Sequence, residues 1–529
     1  MKKEIYIDVV LEQIPRLLGL LDRNPASRTY GCFDRQYWHY HVADFASARC
    51  QEACLTLALL YKTDYKKNIY FQNKLILSWI KGALEFWKNI QNANGSFNEW
   101  YPYESSFVAT AFSSYAVSET LLLLPELKND SLMKALVNAA DFLSRKTEKS
   151  VQNQLSGAIL ALYNIFLLTK NEKYKEASLK KLQELKSMQS GEGWFMEYGG
   201  ADIGYLSLTV DYLAKLYMKS KNPDALAIAG KAVSFLHNFI HPDTTFGGDY
   251  GSRNTEYLIP AGFEILKLDE ASSISYHIRK SLARKSTVAP FSLDDRYLSY
   301  ITCTYIQAYL HAKNKVAPLK NSSKTIYFSE AGMLVHNNKY FLISNLNKGN
   351  SFRAFIKNKV IYDSGIQLIT ERSRLFSGYI RQSSRSYKDN CAKVEGYLEF
   401  ITDTKMSPFK MAAFRIFQLT LGRFEFMSFF VKNILRNILV MGKRSNIKYS
   451  RELIIEPNLR IIDTLYSIPK GKIIISAKSS YNAVPSSKYF QKSELKNVPF
   501  SITVKKPCSI RITRVFDSKG NLQIATKII

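Results

Sequence analysis

The sequence is short of several features that would place it in a familiar class. Cysteine is scarce: Cys32, Cys50, Cys54, Cys303, Cys391 and Cys508 are the only six in 529 residues, and no two form a Cys-x-x-Cys pair. That excludes a disulfide framework and leaves free thiols suited to a reducing compartment. No linker rich in proline or glycine divides the chain, and its hydrophobic content of 46% is that of a globular protein. A signal peptide is not expected, because Glu4, Asp8 and Glu12 break the first apolar stretch. Long apolar runs are also missing. The longest uncharged segment, Ser150 to Thr169, carries Gln152, Asn153, Gln154 and Asn164, so it reads as a buried helix and not a membrane span. No zinc-ligand spacing, RNA-binding signature or recognition-helix pattern points to nucleic acid. Neither a metal nor a cofactor is expected.

Acidic residues are scarce in the second part of the chain. Residues 321–529 hold 35 Lys and Arg against 13 Asp and Glu, whereas residues 1–320 hold 38 against 32. The net +22 of the second part predicts an anionic partner, either an acidic polysaccharide or an anionic membrane surface.

What is present falls into two patterns. Up to about Lys315, segments such as "NKLILSWIKGALEFWKNI" and "LSLTVDYLAKLYMK" carry apolar residues at three- and four-residue spacing. Several are apolar nearly all round, as the inner helices of a double-layered ring would be. After Asn321 come short alternating runs, among them "KYFLISNL", "ELIIEP" and "SIRITRVF". These predict an antiparallel β-sandwich. The expected architecture is an (α/α) toroid of helical hairpins over 1–315, followed by a sandwich over 321–529. A basic amphipathic helix is expected near 424–441, either packed on the sandwich or lying on an anionic membrane.

The helical part repeats itself. "GCFDRQYW" at Gly31, "GSFNEWYP" at Gly95 and "GWFMEYGG" at Gly193 share Gly-x-Phe followed by an acid and aromatics, and "GGDYGSRNTEYL" at Gly247 is a looser fourth copy. Stacked helix pairs closing into a ring would bring equivalent turns to one end, around a central cleft. Their polar load includes Asp34, Arg35, Glu99, Glu197, Asp202, Asp249, Arg253, Asn254 and Glu256, more charge than helix capping requires.

The stretch "NGSFNEWYPYESSF", with Glu99 and Tyr103, resembles a segment of the heparinase II/III-like polysaccharide lyases. So does "YWHYHVADFASARCQEA", with His39, His41, Asp44, Arg49 and Gln51, and so does "GNSFRAFIKNKVIYDSG" in the second part. The resemblance implies a toroid followed by a sandwich, and β-elimination or C5-epimerisation of a uronate-containing glycan of capsule or exopolysaccharide. In one respect the chain departs from that family. The family's β-segment histidine is replaced by "NLNKGNSF", and His336, the only histidine of the second part, reads as a surface residue beside an Asn-Asn turn.

β-Elimination needs a group that neutralises the uronate carboxylate, a base for the C5 proton and an acid for the leaving oxygen. Tyr103 is the candidate base and acid. His39, His41 and Arg253 are candidates for neutralising the carboxylate or carrying a second proton. Glu99 paired with Glu197, Asp202 or Asp249 would instead make an inverting glycoside hydrolase. Trp38, Trp100, Trp194, Tyr198 and Tyr205 are candidates for stacking on sugar rings. Asp34, Arg35, Glu197, Asp202, Asp249, Tyr250, Asn254 and Glu256 are candidates for binding them. Lys348 and Arg353 are expected to form a basic wall of the groove. The missing histidine leaves a third reading, a glycan-binding protein without catalysis. Acidic polysaccharide or oligosaccharide is the expected partner. The expected location is the cytoplasm, with contact at the inner face of the membrane as an option.

Overall fold

The computed structural model describes residues 2–319, 323–378, 384–401, 407–424, 427, 443–475, 490, 494–495 and 499–529. Helices fill the chain to His311 and strands dominate from Lys324 onward. The short helices α1 (Ile5–Leu11), α2 (Ile14–Leu18) and α3 (Arg35–Trp38) precede a regular alternation. It runs α4 (Ala53–Lys62), α5 (Lys74–Asn89), α6 (Phe107–Leu123), α7 (Asp130–Arg145), α8 (Gln152–Thr169) and α9 (Glu172–Ser187). It continues with α10 (Ile203–Ser220), α11 (Pro223–His237), α12 (Ala261–Ile265), α13 (Asp269–Arg284) and α14 (Asp295–His311).

The even-numbered helices from α4 to α14 each pack on the next, and α14 packs back on α4, which closes an inner ring. Helices α5, α7, α9, α11 and α13 form the outer layer. The sequence explains the division. Helix α6 buries Ala109, Phe112, Tyr115, Val117 and Leu121 on several sides, whereas α5 buries a single stripe of Ile76, Ile80, Ala83, Leu84 and Trp87. The uncharged segment expected to be a buried helix is α8, lodged in the inner ring. No helix among the described residues is long and apolar enough to cross a membrane.

The Gly-x-Phe repeat has a defined physical job. Gly31, Gly95 and Gly193 hold φ of 89°, 86° and 101°. A Cβ on them would lie 2.1, 2.3 and 2.4 Å from backbone atoms of Gly82, Asn138 and Lys231, each on an outer helix. A glutamine clamps each turn. Gln91 Nε2 donates to the carbonyls of Gly95 and Ala135, and Gln189 Nε2 to those of Gly193 and Ile228. Gln51 Nε2 does the same for Gly31 and Ala83.

The fourth copy lies three residues before the expected Gly247. Asn92 N–H donates to Ser96 O and Gly95 N–H returns to Asn92 O, with the same pair between Ser190, Trp194 and Gly193. His241, Thr245 and Thr244 repeat it, and Thr244 takes the left-handed position at φ 70°. Each turn leads into an inner helix, α4, α6, α10 or α12, so all four sit at one end of the ring.

The second part contains two antiparallel sheets. The first is β1 (Lys324–Phe328), β2 (Met333–Asn337), β3 (Phe341–Asn345), β4 (Ser351–Ile356) and β5 (Lys359–Asp363), paired in sequence order. The long strands of the second are Cys391–Phe400, Lys443–Ile454, Leu459–Ile468 and Cys508–Phe516. Alternation along the first sheet buries both of its faces. Leu334, Leu342, Phe352 and Ala354 share a core with Leu398, Leu453, Ile461 and Ile512 of the second sheet, which makes the sandwich. Met333, Val335, Phe341, Ile343 and Phe355 join the core of the toroid. His336 is therefore buried and not a surface residue; its Nδ1 lies 2.8 Å from Thr325 Oγ1. Fully buried Arg451 and Arg514 bridge Asp363 of the first sheet and Asp463 of the second.

A further helix, α15 (Pro408–Leu419), lies between the strands Cys391–Phe400 and Lys443–Ile454 and was not foreseen from the sequence. Most of the amphipathic helix expected near 424–441 lies outside the described residues.

Candidate functional site

The inner ring surrounds a cavity of about 680 Å³. Inner helices and the turns that lead into them form its wall, and α15 contributes Met411, Phe414, Arg415 and Gln418. Aromatic rings dominate the lining: Trp100, Tyr101, Phe112, Tyr115, Tyr198, Tyr205, Tyr212, Tyr257, Tyr297, Tyr300 and Phe414. Such rings offer flat apolar faces with polar tips, the combination that suits a sugar ring.

Two charged groupings interrupt the aromatic wall. In the first, Arg49 pairs with Glu52 and approaches Glu99 at 3.8 Å, while its guanidinium lies 4.0 Å from the centre of the Tyr300 ring. Arg296 reaches Glu99 at 3.5 Å and donates to Tyr300 Oη at 2.6 Å. Burial pushes the Glu52 carboxyl up to about 7, against the pull of Arg49. Glu104 Oε2 accepts the backbone N–H of Glu99 and of Trp100, which fixes the turn that presents both. Asp211 and Lys215, paired one helical turn apart on α10, form the second grouping.

Arg253 stands apart from both. It is 7% exposed, and its guanidinium lies 3.7 Å from the Tyr198 ring centre and 5.7 Å from that of Tyr205. Its Nε is buried without a hydrogen-bond partner. Among the described residues, Arg253 is the one cavity-lining cation whose charged group has no carboxylate within 4 Å. Burial pushes the Tyr198 phenol up to about 12, so that ring is a neutral platform for the cation.

The loop that carries Arg253 is held from both sides. Asp202 caps α10 by accepting Tyr205 N–H and also accepts Arg253 N–H at 2.9 Å. From the sandwich, Asn345 Nδ2 donates to Tyr250 O at 2.6 Å, and Lys348 Nζ donates to Gly251 O at 2.8 Å and to Asn254 Oδ1. Arg353 pairs with Glu256 at 2.8 Å, and Ser364 donates to Asp249. Burial lowers the Lys348 ammonium to about 8. Glu197 accepts both the backbone N–H and the Nδ2–H of Asn153, and so orients an amide that lines the cavity.

Of the residues singled out in the sequence, Glu99, Trp100, Tyr198, Tyr205 and Arg253 line the cavity, as does Arg49 from the resemblance. Glu197, Asp202, Asp249, Tyr250, Asn254 and Glu256 lie behind the wall and position it. Lys348 and Arg353 are buried at the junction between the two parts and do not form a groove wall. Tyr103 does not line the cavity; it is 38% exposed with Arg423 stacked on its ring. His39 and His41 are exposed outside the cavity. Asp34 caps α3, Arg35 stacks on Tyr40, and Trp38 donates to Leu20 O. Trp194 is buried, with its indole N–H donated to Glu192.

The sequence reading missed Glu52, Glu104, Asn153, Asp211, Lys215, Tyr257, Tyr297, Tyr300 and the α15 residues. Asp211 and Lys215 look like any helical (i, i+4) pair, and only ring closure turns them inward.

Neither a protein-family model nor a curated protein matches the sequence. Solved structures do match in fold. Streptomyces coelicolor A3 chondroitin AC lyase, solved in complex with chondroitin sulphate, superposes with a TM-score of 0.53 at 11% identity. That match covers 88% of this chain and 71% of the lyase. Paenibacillus xanthan lyase gives a TM-score of 0.52 at 10% identity, covering 99% of this chain but only 54% of the other. A heparinase III structure is covered over 97% of its length, at 10% identity and a TM-score of 0.47. The chain thus has the fold of the chondroitin AC and xanthan lyases, a helical toroid followed by an antiparallel β-sandwich.

Proposed function

We propose that the toroid cavity binds an acidic saccharide and that the protein processes an acidic polysaccharide or oligosaccharide. The observation that supports this most strongly is Arg253, a buried cation on an aromatic wall with no carboxylate of its own. A uronate carboxylate would supply the missing partner, and the surrounding tyrosines would stack on the ring. The two lyases that share the fold are named for acidic polysaccharides, chondroitin and xanthan, which agrees with this reading.

The leading chemistry is β-elimination or C5-epimerisation. Arg253 would neutralise the carboxylate and stabilise the charge that develops as C5 loses its proton. Tyr205, beside Arg253, takes the role of base that the sequence reading gave to Tyr103. In elimination the C4–O bond then breaks, a C4–C5 double bond forms, and Tyr205 passes the proton it took from C5 to the leaving oxygen. In epimerisation a second donor, on the opposite face of the ring, delivers a proton to C5 while Tyr205 keeps the one it removed.

One observation favours hydrolysis as a second reading. Glu52 and Glu99 both line the cavity on either side of Arg49, and burial pushes the Glu52 carboxyl up to about 7, which fits a general acid.

Incubation with a panel of uronate polymers separates these outcomes. Ultraviolet absorbance of an unsaturated product means lyase. Deuterium uptake at C5 without cleavage means epimerase, and new reducing ends without unsaturation mean hydrolase. Failure of every uronate polymer to bind or react would overturn the proposal.

A further inference from the structure

Helix α15 comes from the sandwich part, yet one side of it faces the toroid cavity. Phe414 meets Tyr101 edge-on with ring centres 5.7 Å apart, and Arg415 reaches Asp44 of the toroid at 3.3 Å. On the other side, Phe409 and Ile416 are 88% and 65% exposed, and Gln418 is the only buried residue of the helix. Among the described residues few contacts hold the helix on the toroid, the condition under which an element opens at low free-energy cost.

The Arg415–Asp44 pair is itself accessible, with side chains 36% and 53% exposed. An ion pair so placed contributes little to stability and is readily exchanged. Arg415 also lines the cavity, on a different wall from Arg253, and its second contact is the neutral Gln418. Arg253 and Arg415 line the same cavity, so a ligand with more than one anionic group has a cation to meet on each wall.

We infer that Arg415 is a specificity-determining residue, which exchanges Asp44 for a second anionic group of a bound oligosaccharide. The substrate class is then a saccharide with at least two anionic residues, and a single uronate does not suffice. This rests on the proposed role of Arg253. Asp44 acts as an internal competitor that holds Arg415 in place when no ligand is bound.

Titration calorimetry tests the exchange with tetrasaccharides of hyaluronan, chondroitin and polygalacturonate, using the one that binds best and the matching saccharide with a single uronate, which is the disaccharide for hyaluronan and chondroitin and galacturonate for polygalacturonate. Arg415→Gln should weaken tetrasaccharide binding about tenfold, the effect of losing one charge-assisted contact, and should not weaken binding of the single-uronate saccharide. Asp44→Asn should tighten tetrasaccharide binding about threefold, because the competing surface pair is gone. In the double variant the Asp44 effect should vanish. Circular dichroism and melting temperature confirm that each variant is folded. Equal losses for both saccharides, or an Asp44 effect that persists without Arg415, would overturn the inference and leave the role of Arg253 standing. If none of the three tetrasaccharides binds the unaltered protein, both readings fall together.

Discussion

Replacing Arg253 with methionine should make the protein more stable and at the same time abolish its affinity for uronates. Methionine keeps the unbranched stem that packs against Tyr198 and Tyr205 but removes the charge. In the native protein that charge is 7% exposed and has no carboxylate within 4 Å. Desolvating such a cation costs several kcal/mol. Stacking on Tyr198 returns about 2 kcal/mol. Removing both should leave a net gain of about 1–3 kcal/mol, visible as a higher urea midpoint at an unchanged denaturant slope. Binding should move the other way. Two charge-assisted hydrogen bonds to a carboxylate, together about 3–4 kcal/mol, correspond to a loss of at least about a hundredfold in affinity. Paired urea melts and calorimetric titrations with a uronate tetrasaccharide measure both quantities. A variant that melts earlier and binds uronate unchanged would make Arg253 a structural residue and not a ligand-binding one.

Three further outcomes follow from the same geometry. Tyr205→Phe should lower turnover by about 10²–10⁴-fold with a small change in KM, while Tyr103→Phe should leave both unchanged; steady-state kinetics on the reactive polymer decides between them. Gly95→Ala should cost more than about 3 kcal/mol, because its Cβ would lie 2.3 Å from Asn138 O at φ 86°. Gly230→Ala on α11 meets only Leu268 at 3.7 Å and should stabilise by about 0.5–1 kcal/mol, so urea melts of the two variants should diverge in sign. Glu52 has its folded value raised to about 7 from 4.5, so its contribution is fully present below 4.5 and is lost as pH rises through 7. Glu52→Gln should remove that loss of about 3 kcal/mol, gaining on the native protein at pH 8 but not at pH 4.5 in parallel unfolding curves.

The toroid was legible because inner and outer helices differ in sequence: α6 is apolar on nearly every side and α5 on one stripe. The turns were legible through Gly-x-Phe, since three of them press a glycine against a neighbouring backbone. The fourth was misplaced because Thr244 adopts the left-handed conformation without being glycine, and Gly247 stood close by as a decoy. Arg253 stood out as a charged residue in a turn. Its most informative property, the lack of a carboxylate, depends on Asp202 and Glu256 being engaged elsewhere, which no spacing reveals.

Charge counting failed for Lys348 and Arg353. Composition does not distinguish a solvated lysine from one buried against Gly251 O and Asn254. Tyr103 was expected in the cleft and lies outside the cavity, because a motif resemblance fixes its place in the chain and not the direction of its side chain. The contribution of α15 had no sequence signal beyond helical spacing in "FKMAAFRIFQL", and its meeting with Tyr101 and Asp44 is a tertiary event.

Whether an acidic saccharide binds in the toroid cavity with a carboxylate on Arg253 can be seen in a crystal structure of the protein with a uronate tetrasaccharide. The expected result is a carboxylate within about 2.7–3.1 Å of the Arg253 guanidinium, as charge-assisted hydrogen bonds require, and a sugar ring stacked on the cavity tyrosines. A tetrasaccharide seated on the outer face of the sandwich, with the Arg253 guanidinium untouched, would contradict it.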